Sequence, residues 1–144
     1  AESVRAGLAC LPADARYVLV HDAARALATP ALWARVRDAL DQGVDAVIPG
    51  LRVTDTLKRI DGDRVTGTVD RESLIAVQTP QGFKVEVLRA AHAAGGDATD
   101  DAAFIEAHGG SVLWVEGEVA NIKLTRPEDV AMMEAVLARQ EVTP

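Results

Sequence analysis

The stretch YVLVHDAARALATPALWARVRDALDQGVDAVIPG, residues 17–50, decides the fold. Tyr17-Val18-Leu19-Val20 is a short apolar, β-prone run, which reads as a buried strand over 16–20. His21 and Asp22 end it abruptly. Thr29-Pro30 is a helix start, with Thr as N-cap and Pro in the first turn. Leu32, Trp33, Val36, Ala39 and Leu40 then recur at helical spacing until Gly43. Asp45-Ala46-Val47-Ile48-Pro49 reads as a second apolar strand, closed by Pro-Gly. A helix of that length between two short apolar strands predicts a βαβ unit and a parallel sheet.

The elements on either side agree with an α/β domain. Upstream, Val4, Leu8 and Leu11 give the end of a helix over residues 3–10, with Ser3 as a possible cap. Downstream, the chain turns at Pro80-Gln81-Gly82 and becomes helical to about Ala94, where Gly95-Gly96 stops it. Thr99 is placed to cap the next helix, which Gly109-Gly110 ends. Ser111 to Gly117 is a strand. Asn121 to Thr125 leads into a last helix with Thr125 as cap and Pro127 in its first turn.

Residues 52–78 behave differently. Asp61-Gly62-Asp63 sits between β-branched runs and signals a hairpin. Its strands alternate Thr, Lys and Arg with a thin apolar face. A two-stranded ribbon of that kind is marginal alone, so it is expected to lie against something else, with a partner subunit as one candidate.

Composition narrows the classes. The chain has 144 residues, enough for one domain, 49% of them hydrophobic and only 3% aromatic, so the core must be aliphatic. No apolar run is long enough to span a membrane, and the first residues carry no signal-peptide pattern. One cysteine, Cys10, fits a reducing cytoplasm and reads as a small apolar helix residue. A net charge of −7 argues against non-specific nucleic-acid binding but leaves room for a local phosphate site. Zinc spacing, a G-x-S-x-G elbow and a Gly-rich phosphate loop are all missing from these residues.

The residues with chemistry sit where an open α/β sheet places ligands, beyond strand ends. Asp22 can accept from a ribose hydroxyl or hold a divalent cation, and Arg25 can donate to phosphate or hydroxyl oxygens. A local Asp22–Arg25 ion pair is the plainer alternative. His21 reads as a packed imidazole. In extended geometry Asn121 and Lys123 share one side of the chain, able to meet a metal and a phosphate, or else Lys123 is a solvated lysine. Thr56 and Arg71, on the two arms of the hairpin, offer hydroxyl and guanidinium to a phosphomonoester, or simply protect an edge strand. Ser3 can donate to a ligand. Trp33, Trp114, Met132 and Met133 read as core or interface packing.

In order along almost the whole chain, SVRAGL, VLVHDAAR, DAVIPGLRVTDTLKR, TVDRESLIAVQTPQGF, ATDDAAFIEAHGG and EGEVANIKLTRPEDVAMME resemble blocks of the bacterial 2-C-methyl-D-erythritol 4-phosphate cytidylyltransferase family. The resemblance implies a Rossmann-like α/β nucleotidyltransferase sheet with flanking helices and a protruding β-hairpin arm. It implies a homodimer whose arms cross to the neighbouring site, CTP as co-substrate, Mg²⁺, and release of pyrophosphate on the non-mevalonate route to isoprenoids. By position it sets Ser3 near the cytosine, Asp22 in the ribose and metal region, and Arg25 on the sugar alcohol. Thr56 and Arg71 then hold the substrate phosphate from the neighbouring subunit, and Lys123 reaches the same phosphate. Asn121 as a metal neighbour is an inference from related nucleotidyltransferases. Ala26 stands where the family usually has Pro.

Two phosphorus centres must meet in such a reaction, so cations have to offset their repulsion; a phosphate dianion needs no general base. The family begins with a strand and a Gly-rich loop carrying Arg then Lys, which these 144 residues do not include. The 144 residues, read as one partial domain, are therefore expected to be almost inactive and poorly stable alone. A ribitol-5-phosphate cytidylyltransferase and an inert dimerisation or binding module are the alternative readings.

Overall fold

A computed structural model describes residues 2–95 and 100–141. Its elements are α1 (Glu2–Ala9), β1 (Tyr17–Val20), α2 (Pro30–Leu40), β2 (Ala46–Arg52), β3 (Leu57–Asp61) and β4 (Arg64–Val69). A single 3₁₀ turn (Arg71–Ser73) follows, then β5 (Ile75–Val77), β6 (Gln81–Lys84), α3 (Val85–Ala94), α4 (Asp101–Ala107), β7 (Val112–Glu116) and α5 (Pro127–Glu141).

The main sheet is mixed rather than parallel. β1 pairs antiparallel with β6, β6 antiparallel with β2, and β2 parallel with β7. So β1 and β2 do run the same way across α2, but β6 lies between them. The turn expected at 80–82 is instead the start of that central strand. Gly82 is what admits it: a Cβ there would come within 2.8 Å of Val36 Cγ1 and 2.9 Å of Leu40 Cδ1, so α2 packs directly on the β6 backbone. β2 also runs through Pro49-Gly50 rather than ending there. The Pro49 carbonyl accepts from Gln78 N–H at 2.7 Å, so the missing Pro49 donor faces the gap between β5 and β6, where no ladder bond is lost.

Both faces of the sheet are covered. Tyr17, Leu19 and Val47 face Val36, Ala39 and Leu40 of α2, while Val18, Val20, Ala46 and Ile48 face Leu8, Phe83, Leu88 and Ile105 on the side of α1, α3 and α4. The period-two alternation of β1 therefore serves two cores. Each fully buried aliphatic side chain contributes roughly 1.5–3 kcal/mol, and truncating Leu88 to Ala costs on the order of 2–5 kcal/mol. At one end of the sheet Asp45 ties three segments. Its carboxylate takes Lys84 Nζ at 3.0 Å and the Ser111 N–H and hydroxyl at 2.9 and 2.8 Å. The Ser111 bonds and Lys84 lower its pKa to about 2.

Thr29 caps α2 as expected, accepting from Leu32 N–H. Ser3 lies inside α1 rather than capping it, and Cys10 is exposed just beyond that helix. Asp100 caps α4; Thr99 lies outside the described residues. At α5 the capping group is Asp129, which accepts from the N–H groups of Thr125 and Arg126 and from the Thr125 hydroxyl.

β3 and β4 form a separate two-stranded sheet joined through Gly62-Asp63, with Gly62 at φ +58°. Positive φ at the first turn residue alone is the signature of a type II′ hairpin. No residue of either strand is buried, and Ile60 and Val65 are 69% and 64% exposed. Trp114 and Met132, expected in the core or at an interface, are also partly open in the single chain, at 38% and 56%, so they do not belong to its core. Among the described residues no helix is long and apolar enough to cross a membrane.

Candidate functional site

The carboxyl end of β1 opens into a cavity of about 420 Å³. After Val20 the chain turns, with Arg25 N–H donating to the Asp22 carbonyl at 2.9 Å, which brings both side chains to the same side. The Asp22 N–H donates to Thr79 Oγ1 at 3.0 Å, fixing the turn against the β5–β6 junction. His21 supports it from behind, beside the Trp33 ring at 4.9 Å. The Arg25 carbonyl, 3.2 Å from His21 Nε2, can only accept, so Nε2 carries the proton; in the neutral ring Nδ1 then accepts from the Thr79 hydroxyl at 3.0 Å. His21 is thus packed, as expected, and also wired to the turn.

Asp22 Oδ2 lies 2.8 Å from Lys123 Nζ and 3.8 Å from Arg25 Nε. Arg25 is largely enclosed, with a side chain 12% exposed. Its Nη1 donates to the Asn121 carbonyl at 2.8 Å and its Nη2 sits 3.4 Å from the Val77 carbonyl. Burial lowers its pKa from the usual value and Asp22 opposes that shift. An arginine stays cationic through such a change. Lys123 is half exposed, at 47%, and closes the other side of the cavity.

Of the residues singled out in the sequence, Ser3, Asp22, Arg25 and Lys123 all line this cavity. They come from a helix, a strand end and an irregular segment that are far apart along the chain. Thr56 and Arg71 do not line it. They are exposed at the base of the hairpin, where Arg71 Nη1 donates to the Thr54 carbonyl. Asn121 does not share a face with Lys123. Residues 121–125 are not extended strand, and the Asn121 side chain is fully buried while Lys123 reaches the cavity. Its Nδ2 donates to the Thr79 carbonyl at 2.8 Å.

Several lining residues escape a reading of the sequence. Gln78, Thr79 and Gln81 follow β5, and Asp100 and Asp101 start α4. Gln81 Nε2 reaches Asp100 Oδ2 at 3.3 Å, and Asp101 Oδ1 meets the buried His92 at 2.8 Å. The polar run Gln78-Thr79-Pro80-Gln81 between two β segments is the available signal. A larger groove of about 810 Å³ runs between α5 and residues 119–122, but its lining is apolar apart from Arg139, so it lacks the chemistry of the smaller cavity.

The arrangement places two cationic side chains beside the carboxylates of Asp22, Asp100 and Asp101. Two cations and a serine hydroxyl converge where a phosphorylated, hydroxyl-bearing ligand would need charge neutralisation and an acceptor. Among the described residues, no group of three or more His, Cys, Asp or Glu side chains is placed to hold a metal ion.

Known proteins agree with this architecture. The profile of the IspD family, 2-C-methyl-D-erythritol 4-phosphate cytidylyltransferase, matches residues 1–139. The chain is 52% identical over 140 residues to the 2-C-methyl-D-erythritol 4-phosphate cytidylyltransferase of Nocardia farcinica, covering 96% of this chain and 60% of that protein. It is 51% identical over 140 residues to the bifunctional enzyme IspD/IspF of Solidesulfovibrio magneticus, covering 95% of this chain and 35% of the relative. The crystal structure of the Thermus thermophilus 2-C-methyl-D-erythritol 4-phosphate cytidylyltransferase superposes with a TM-score of 0.84 at 41% identity, covering 94% of this chain and 68% of that one. The chain thus spans 35% of the bifunctional relative and 60% of the Nocardia one.

Proposed function

The chain belongs to the 2-C-methyl-D-erythritol 4-phosphate cytidylyltransferase family, and from that premise we propose that the protein carrying it transfers CMP from CTP to 2-C-methyl-D-erythritol 4-phosphate. The observation that carries the reading is the convergence of Asp22, Arg25 and Lys123 in one cavity, with Ser3 on its wall.

In the proposed reaction a phosphate oxygen of the sugar alcohol bonds to the α-phosphorus of CTP. The bond from the α-phosphorus to the bridging oxygen breaks, and its electrons leave with pyrophosphate. No proton has to move, which suits a cavity whose central groups are a carboxylate, a guanidinium and an ammonium. Lys123 and Arg25 hold the incoming phosphorylated substrate and offset its charge against the triphosphate. Arg25 is the more rigid of the two, because its guanidinium is already anchored on the Asn121 carbonyl. Ser3 borders the cytosine. Asp22 faces the ribose and is the carboxylate that would meet Mg²⁺; Mg²⁺ held by one carboxylate with substrate phosphates and water needs no protein cage. When bound, that ion draws charge from the phosphate oxygens. Asn121 is left out of that set because its side chain is fully buried and does not line the cavity.

The arm completes the site in trans. Thr56 and Arg71 of one subunit hold the substrate phosphate in the cavity of the other, within a homodimer in the cytoplasm. Residues 1–144 form one partial nucleotidyltransferase domain, with the arm at about 52–78 as its extension. Support comes from the hairpin itself: its apolar residues Ile60 and Val65 are exposed, and Thr56 and Arg71 do not line the cavity of their own chain.

The test is pyrophosphate release by the full-length protein that carries this sequence, with CTP and methylerythritol phosphate, and with ribitol 5-phosphate alongside. Turnover strongly favouring the methylerythritol substrate is expected. No CTP-dependent release with either substrate overturns the reading.

A further inference from the structure

Lys123 sits in residues 117–125, which contain neither helix nor strand. No sheet ladder therefore sets where its ammonium points, and something else must. Two buried side-chain amides do this. Gln78, 7% exposed, accepts from Glu118 N–H at 3.0 Å through Oε1 and donates to the Glu118 carbonyl at 2.9 Å through Nε2. It grips both main-chain groups of one residue, as a neighbouring strand would. Gly117 keeps this grip possible, since a Cβ there would lie 2.5 Å from Gln78 Oε1. Asn121, fully buried, donates from Nδ2 to the Thr79 carbonyl at 2.8 Å, and its own carbonyl accepts Arg25 Nη1. Two residues past Ile122, Leu124 N–H donates to the Ala24 carbonyl at 2.8 Å. Lys123 is thus suspended between two anchored neighbours, directly over Asp22.

Asn121 keeps this place at a cost. Its Oδ1 is buried and has no hydrogen-bond partner among the described residues, a penalty that an apolar side chain of similar size avoids. Local rules broken in this way are expected where function sets the residue.

We propose that Asn121, together with Gln78, is a positioning residue for the phosphate-binding cation Lys123. The amides touch no reacting atom. They hold the 118–124 segment at the distance from β1 that lets Lys123 share one anion with Arg25. The inference rests on the proposed role of Lys123, so both are tested together in the full-length protein.

Asn121→Leu and Gln78→Met are near-isosteric, and each is made alone and combined with Lys123→Ala. With CTP and methylerythritol phosphate as substrates, either amide variant lowers kcat/KM for the polyol phosphate by roughly 30-fold in the parent, since small displacements of a positioned group are costly. In the Lys123→Ala background the same substitutions cost less than about 3-fold, because the group they position is gone. KM for CTP stays within about 2-fold in both backgrounds, which a general loss of structure would not allow. A loss of the same factor with and without Lys123, or an equal rise in both KM values, overturns the inference. Parental kinetics for Asn121→Leu and Gln78→Met beside an impaired Lys123→Ala overturns it alone. Full activity of Lys123→Ala overturns the reading of the site and this inference with it.

Discussion

The two regions that carry the candidate residues are built in opposite ways. At the end of β1, polar groups are tied together: Arg25 and Lys123 each lie within 4 Å of Asp22, and their loops are held by Thr79, Gln78 and Asn121. On the arm, Thr56 and Arg71 are exposed, and the ribbon beneath them buries none of its residues. The first region is organised within one chain. The second has the turn chemistry of a hairpin and no core. A ribbon like that offsets its exposed apolar surface only when a second surface covers it. The contrast points to a site assembled in two halves.

The largest effect expected from breaking the organised half is on chemistry. Lys123→Ala lowers kcat/KM by about 10²–10³, because removing one charge-stabilising donor from such a site typically does so. Steady-state pyrophosphate release reads it, and a change under 10-fold would make the two regions less different than they look. Removing charge from the arm comes next. Arg71→Ala costs roughly 10–100-fold, mostly in KM for the polyol phosphate, with little change in thermal midpoint because the residue is exposed. An effect confined to kcat would place Arg71 elsewhere.

Covering of the arm is probed separately. Ile60→Ser with Val65→Ser removes the exposed apolar pair and shifts the protein toward monomer in sedimentation at low micromolar concentration. An unchanged dimer would mean that the ribbon is not the interface. The smallest effect belongs to the far end of the sheet. Asp45→Asn costs about 1–2 kcal/mol of stability at neutral pH and leaves kinetics alone, as expected of a partly screened carboxylate with three donors. The Asp45 pKa is depressed in the folded protein, so its contribution is complete above the ordinary carboxylate value of 3.8 and is lost as pH falls toward about 2. Denaturation midpoints of parent and variant therefore converge over that interval; a constant gap would contradict the assigned cause.

Much of this is legible in the sequence, and what is not has physical reasons. Helix α2 announces itself through Thr29-Pro30 and its apolar stripe, and the hairpin through Asp61-Gly62. β6 reads as a turn because Pro80 and Gly82 are turn residues by propensity. Burial overrides that here: Gly82 is needed for the close approach of α2. The position of β6 between β1 and β2 is a long-range pairing that no local pattern encodes. Asp22, Arg25 and Lys123 are readable because they lie just past strand ends, where a sheet exposes ligands. Gln78 and the buried role of Asn121 are not, since an amide's role depends on which backbone groups tertiary packing brings to it. Extended alternation puts Asn121 on the side of Lys123, and the irregular path of residues 121–125 undoes that.

The central claim, one organised half-site completed by a neighbour's arm, is tested most directly by mixing two impaired variants and assaying them at polyol phosphate well below KM. Arg71→Ala and Lys123→Ala proteins, unfolded and refolded together, form mixed dimers in which one of the two cavities has both groups intact. The account predicts recovery to about a quarter of parental activity, from half the dimers carrying one good site in two. A refolded mixture no more active than the average of the two variants alone would contradict it.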